Sequence, residues 1–297
     1  MSFECPPNAE IYFDQVVNRC RAYVRMGIWT IEATALDGWL SNFVSAEEKH
    51  LAACLLDKAI FRDEAQVRAM ILQLLQRTLS DALAAPNEFG TDWQMLLSDP
   101  NQDPAVRIVP VIRDLDSPAK SGPLVARLYR RLGGVADEWM IWPWLIRKHV
   151  KSGIRCLLLI DDFVGSGKQF TSFAKRFRLD QLHNVKIVYA PLIAHPEGLS
   201  TIRERHPGIL VVPGEILSAD TSVLPKNGKS SDGHNTNESA RDVYKAYWTR
   251  RAIRLQKKML FGWEGLNLGF AFNHGTPNAS LPLFWLDHDS HKALFAR

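Results

Sequence analysis

The 297-residue chain predicts an α/β fold, a mainly parallel sheet with helices on both faces, plus a helical N-terminal region. Three observations carry this. Apolar runs of strand length alternate with helix-length segments between residues 106 and 217. One of those runs, CLLLI (156–160), is apolar without interruption, as a strand buried on both faces must be. Before residue 100, by contrast, apolar residues recur at threes and fours.

The elements follow in order. From Ile11 to Leu83 the pattern is helical: Trp39, Leu40 and Phe43 precede EEKHLAACLLDKAIF, and EAQVRAMILQLLQRTL follows. Ser45 with Glu47 and Glu48 marks a helix start. Pro86, Asn87, Gly90 and the segment from Pro100 to Pro104 interrupt the pattern, so a boundary is expected near residue 100, with 1–100 as the helical region and 101–297 as the α/β domain. VRIVPVIR (106–113) reads as a strand, DLDSPAKSG (114–122) as a loop, and PLVARLYRRL (123–132) as a helix with Pro123 in its first turn. WMIWPWLIRKHV reads as a short strand or helix entry, then a helix.

After CLLLI come a helix (169–177), a strand (185–194), a helix (196–206) and a strand (208–217). Such alternation makes parallel pairing the natural connection. The stretch 224–239, LPKNGKSSDGHNTNES, is expected to be a flexible loop and a candidate flap. A basic helix is expected over 244–259, with a frayed tail around His288 and His291.

Composition narrows the class. With 46% hydrophobic and 23% charged residues the chain matches an ordinary globular protein rather than a disordered one. Cys5, Cys20, Cys54 and Cys156 form no CxxC pair, which argues against a zinc ribbon or disulfide framework and fits a reducing, cytoplasmic setting. The start lacks a leader pattern and no run approaches the ~20 apolar residues of a membrane span, so no membrane association is expected. A net charge of +4 permits contact with nucleic acid or small phosphates and demonstrates neither.

The chemistry concentrates in CLLLIDDFVGSGKQF (156–170). Its GSGK suggests a P-loop, but Asp162 stands where the first glycine belongs and Gln169 where the magnesium-binding Ser or Thr belongs. A ribose 5-phosphate site fits better. Asp161 and Asp162, at the carboxyl end of a strand, can accept hydrogen bonds from a ribose diol. The backbone N–H groups of Gly165, Ser166, Gly167, Lys168 and Gln169 can hold a phosphate at a helix start. The competing reading of the acid pair is a turn or helix cap after a buried strand. Lys120-Ser121-Gly122 reads equally as an ordinary turn before a helix or as an anion-binding loop. Arg127, Arg130 and Arg131, with Arg147, Lys148 and Lys151, read as solvated helix faces. So do Arg250, Arg251, Arg254, Lys257 and Lys258, although Trp248 among them would suit stacking on a base.

LLLIDDFVGSG resembles the signature of the type I phosphoribosyltransferases. The resemblance implies a phosphoribosyltransferase-like (Rossmann-like) fold. It also implies that Asp161 and Asp162 bind the ribose diol of phosphoribosyl pyrophosphate, that residues 165–169 bind its 5′-phosphate, and that Lys120, Ser121 and Gly122 form a pyrophosphate loop. Phe163, Gly165 and Gln169 depart from the usual pattern. Magnesium is expected with the ligand, bridging pyrophosphate and ribose oxygens.

KSGPLVAR, DDFVGSG and HGTPNASLPLFW together resemble a divergent phosphoribosyltransferase-like group from bacterial phage-defence and conflict systems, including some retrons. That resemblance implies an antiviral effector or toxin acting on a nucleotide or phosphoribosyl pyrophosphate by substitution at ribose C1′, with Asp161 and Asp162 as the catalytic acids that orient the diol and favour the cationic ring. It also implies a defence complex containing reverse transcriptase and nucleic acid, and a base contact from His274 or Asn278. The alternative reading is an inactive nucleotide-sensing or docking subunit.

Overall fold

The computed structural model describes residues 3–83, 93–99, 105–117, 120–218, 220–226 and 235–297. In chain order the first elements are helices α1 (Ala9–Arg25), α2 (Ala33–Leu40) and α3 (Ala46–Asp57), strand β1 (Ile60–Arg62), helix α4 (Glu64–Gln73) with a π-helical turn at Leu74–Thr78, and helices α5 (Leu79–Leu83) and α6 (Trp93–Ser98). Next come β2 (Val106–Pro110), α7 (Ser121–Gly133), α8 (Ile146–Lys151), β3 (Cys156–Val164), α9 (Lys168–Phe177), β4 (Lys186–Ala194) and α10 (Pro196–Arg205). The chain ends with β5 (Ile209–Val211), β6 (Glu215–Ile216), α11 (Asn237–Arg250), β7 (Phe270–Phe272) and α12 (Pro282–Trp285). No helix among the described residues is long and apolar enough to cross a membrane.

Two compact units result. One comprises Ala65–Ser218, the other Met1–Glu64 with Ala219–Arg297. This differs from a division at residue 100, because apolar periodicity shows that a residue is buried but not which core it joins. Ile71 and Leu75 lie so close to Gly133 of α7 that an added Cβ there would meet them at 3.1 and 2.7 Å. Trp93 donates its indole N–H to the Leu75 carbonyl at 2.6 Å. The helices from α4 to α6 therefore belong with the sheet. The C-terminal segment joins the N-terminal helices instead: Trp39 donates to the Leu283 carbonyl at 2.7 Å and its ring stacks on Phe284.

In the sheet unit the strands run β2-β3-β4-β5, with β6 also pairing with β4, and every pairing is parallel. Alternation along each strand supplies two apolar faces. Leu157 and Leu159 of β3 and Ile187 and Tyr189 of β4 share a core with Phe170 and Phe173 of α9 and with Leu199 and Ile202 of α10. Cys156, Leu158 and Ile160 alternate with them and are also buried, and α7 packs along β2 and β3. The mainly parallel sheet with helices on both faces is thus the observed fold class.

The strand expected over 208–217 is broken. Gly214, between β5 and β6, donates its N–H to the Pro191 carbonyl, and a Cβ there would sit 2.8 Å from the Leu192 oxygen. The same backbone approach that requires glycine interrupts the regular ladder.

The other unit is built on a parallel β1–β7 pair and a large aromatic core including Trp29, Trp39, Phe43, Phe284 and Phe295. Ser45 and Glu48 form a complete capping box on α3. The basic helix expected over 244–259 starts earlier and ends at Arg250, where Ala252 takes a φ of 55°. Its Trp248 is buried at 2% exposure, so it offers no stacking surface. The tail expected to fray is packed: His291, Leu294 and Phe295 are all buried. Of the flap expected at 224–239, residues 227–234 lie outside the described residues. Beyond them, Asn235 exchanges two hydrogen bonds with the Glu4 backbone, and Thr236 caps α11.

Candidate functional site

Strand β3 does not stop at Ile160 as its apolar run suggests. Its ladder with β4 continues through Asp161↔Pro191 to Val164↔Ala194, so both acids lie within the last turns of paired strand. Consecutive strand residues face opposite ways, and the two acids differ in burial, although their carboxyls remain close enough to interact. Asp161 points to the face of Leu159 and Tyr189. It is 2% exposed, and its Oδ2 accepts the Tyr189 hydroxyl at 2.9 Å. The Asp162 backbone N–H donates to Asp161 Oδ1 at 3.1 Å. Tyr189 is itself fixed by the Phe170 ring, stacked with centroids 3.9 Å apart.

Asp162 is half-buried, and its Oδ1 accepts the Ser121 hydroxyl at 2.9 Å and the Phe163 N–H at 2.9 Å. The pair is electrostatically unequal. Burial first, and the neighbouring Asp162 second, hold the Asp161 carboxyl well above the usual carboxylate range, while the Tyr189 hydroxyl works in the opposite direction. Burial and Asp161 likewise push the Tyr189 phenol up.

Beyond β3 the chain turns through Gly165, Ser166 and Gly167 into α9. Gly167, at φ +76°, is the N-terminal cap of α9 and has no side chain to answer the first N–H groups. The first turn of α9 also contains no acidic residue. These are the conditions under which a helix start accepts an anion. Lys168 and Gln169 are exposed and Ser166 is buried. The loop is wedged against α10: a Cβ on Gly167 would lie 2.9 Å from the Gly198 oxygen, and one on Gly198 would lie 2.2 Å from the Gly165 oxygen.

Ser121 opens α7, and its bond to Asp162 brings the candidate pyrophosphate loop against the acid pair. Lys120 pairs with Asp116 at 3.0 Å. Burial opposes ionisation of Asp116, yet Arg113 and Lys120 overcome it and hold that carboxyl well below its usual range. Gly122 is needed for close packing, since a Cβ there would meet the Ile112 Cβ at 2.9 Å.

His274 and Asn278 belong to the other unit. The His274 ring stacks on Phe272 at 4.6 Å, and Asn278 accepts the Arg297 guanidinium through its side chain and the Trp263 N–H through its carbonyl. Among the described residues no group of three or more His, Cys, Asp and Glu could hold a metal ion. Two residues of the sheet site escaped the sequence reading, Tyr189 and Gly198. The signals were present as a hydroxyl inside the apolar run VKIVYAPLIA and a glycine in the first turn of a helix.

A family model described as PRTase-CE matches residues 36–297. Among solved structures, orotate phosphoribosyltransferase from Aeropyrum pernix aligns at 17% identity over 52% of this chain and 72% of its own, with a TM-score of 0.29. The AQ2163 protein from Aquifex aeolicus aligns at 11% identity over 56% of this chain and 83% of its own, with a TM-score of 0.30. No curated protein matches the chain.

Proposed function

The chain belongs to the PRTase-CE family, and from that premise we propose that its phosphoribosyltransferase-like unit binds a ribose 5-phosphate group, carried by phosphoribosyl pyrophosphate or a nucleotide. The observation that carries this reading is the 2.9 Å bond from Ser121 to Asp162. It joins two separately suspected ligand loops at one strand end, beside a helix start with no side-chain cap.

The two acids have different roles in this proposal. Asp162, half-buried, accepts the ribose diol, and Asp161 fixes the strand end from inside through Tyr189. The Gly165–Gln169 backbone and the first turn of α9 receive the phosphate, with Lys168 adding charge. Ser121 holds Asp162 before the ligand arrives, so less ordering is needed on binding. A magnesium ion brought with the ligand would lie on the side of Asp162, and would supply neutralisation of leaving-group charge.

Substitution at ribose C1′ builds positive charge on the ring, which nearby anionic groups stabilise. Gly165 and Gln169, which depart from the usual loop pattern, support a second reading, in which the same cradle senses a nucleotide without turning it over. The motif resemblance also supports a place for the protein as an effector in anti-phage defence, where Asp162→Asn should abolish any protection scored by plaque counts.

The test is calorimetric titration with phosphoribosyl pyrophosphate, AMP and NAD in magnesium, followed by mass spectrometry of the same mixtures. Saturable binding with a new product identifies the transferase or hydrolase. Binding without product identifies the sensor. Absence of binding by a folded protein to all of them would sink the site assignment.

A further inference from the structure

The sheet unit carries an aromatic and basic feature that the ribose-phosphate reading does not use. Trp142 and Trp144 flank Pro143 in the sequence WPW. Their rings stack with centroids 5.1 Å apart and planes only 7° apart, yet they are 42% and 52% exposed. This is a fixed platform. The Ile141 N–H is bonded to Ile108 of β2, the Leu145 N–H to the Trp142 carbonyl, and Ile146 is buried. Two large aromatic surfaces are thus held rigidly in water, and the core does not need them there.

Beside Trp144 lies a pocket of about 270 Å³, lined by Pro143, Trp144, Arg147, Arg176, Phe177 and Arg178. Lys148, Lys151 and Lys175 add charge on the same two helices. A cationic helix end is often no more than an answer to the helix dipole. Two details go further. Arg178 holds a left-handed conformation, φ 49°, at a C-cap where glycine is usual. Among the described residues Arg176 pairs with the exposed Asp114, and Arg147 with Gln181 at 3.3 Å. Exposed pairs of this kind are weak and exchange readily for a phosphate.

We propose that the Trp142–Trp144 platform and the adjoining Arg147, Arg176 and Arg178 pocket bind single-stranded nucleic acid, bases stacking on the indoles and phosphates on the arginines. Successive aromatic planes beside a basic groove are the means by which strands are held without reading their sequence. A base pair has no free face for such a platform, so duplex is disfavoured. A free nucleotide is also disfavoured, because the pocket falls below the ~300–1,000 Å³ that encloses a small ligand. Affinity must then come from several adjacent units. The patch is separate from the ribose-phosphate cradle, which sits at the first turn of α9 while Arg176 and Arg178 sit at its last. A helix of 10 residues spans about 15 Å.

The test is fluorescence anisotropy of the full chain with labelled 20-nucleotide oligo(dT), the same backbone without bases, a duplex of equal length, AMP and polyglutamate. Oligo(dT) should bind in 50 mM salt, and Trp142→Ala/Trp144→Ala should weaken it at least about tenfold. Trp142→Phe/Trp144→Phe should stay within about threefold of wild type, since a smaller ring still stacks. Arg147→Gln/Arg176→Gln/Arg178→Gln should flatten the log–log salt slope by about 2, from about 0.7 per phosphate contact. Asp162→Asn should leave all of this unchanged, which separates the patch from the cradle. Absence of oligo(dT) binding overturns the proposal. So does equal binding of the baseless strand or the duplex, or displacement of oligo(dT) by polyglutamate. Those results need no variant to fold.

Discussion

Among the described residues each unit buries one carboxylate, and the two are treated in opposite ways. Glu48, in the aromatic unit, accepts the Val44 N–H and the guanidinium groups of Arg250 and Arg251 while closing the capping box of α3. Burial alone would raise its pKa, but that N–H and the two arginines lower it. Asp161, in the sheet unit, is answered by a tyrosine hydroxyl and one backbone N–H, and its pKa rises. The difference teaches what each unit's polar interior is for. Glu48 ties remote parts of the chain together, whereas Asp161 holds a strand end in position next to a half-exposed acid.

The sharpest way to break this comparison is to remove Glu48. Glu48→Ala should destabilise the protein by about 3–5 kcal/mol, because Arg251 is left without its carboxylate and α3 loses half of its capping box. Urea unfolding that shows a loss below about 1 kcal/mol would contradict the structural role assigned here. Since the folded-state pKa is lowered, the Glu48 contribution is present above the unfolded value of about 4.3 and is lost as pH falls through the folded one.

Gly198→Ala should cost about 1–3 kcal/mol, because the new methyl would press on the Gly165 backbone oxygen, which cannot swing aside as a side chain would. The same variant should weaken ligand binding by displacing the phosphate loop. A melting scan and a titration on one sample check both effects. Wild-type affinity would show that the loop is not set by α10.

Asp161→Asn should have the opposite sign and a smaller size, a gain on the order of 1 kcal/mol at neutral pH, since it removes an imperfectly answered buried acid. Its pKa is raised in the folded state, so wild type keeps the benefit below the unfolded value of about 3.9 and loses it as pH rises toward the folded one. Over that window the wild-type stability curve should fall relative to the Asn variant. Parallel curves would mean that folding does not raise the Asp161 pKa. The smallest effect is expected from Ser121→Ala, with stability lowered by about 1 kcal/mol and ligand affinity reduced several-fold through Asp162.

Much of the sheet unit was legible because its signals are local. CLLLI and VKIVYAPLIA are continuous apolar runs, and their strands lie where the runs lie. Asp161 and Asp162 stand next to each other in any reading, and alternation alone says that they differ in burial. Which of them is buried depends on Phe170 and Tyr189 meeting across α9 and β4, a contact between residues 19 positions apart in the numbering of the sequence. The broken strand at Gly214 and the wedge at Gly198 are likewise set by backbone approaches from remote segments. The aromatic unit was less legible still, since its core combines residues near both termini. Trp248 and His291 look like surface residues in a basic helix and a polar tail, and become interior only once their rings meet each other at 5.0 Å and both pack on Tyr247.

The central claim is that Asp162 is the ligand-facing acid, and it is tested most directly by calorimetric titration of phosphoribosyl pyrophosphate with magnesium into wild type and Asp162→Asn. Saturable binding by wild type is expected, with a loss of about 10- to 100-fold in the variant, the worth of one or two charge-assisted hydrogen bonds, and with the variant still folded. Equal affinity in the two proteins would contradict it.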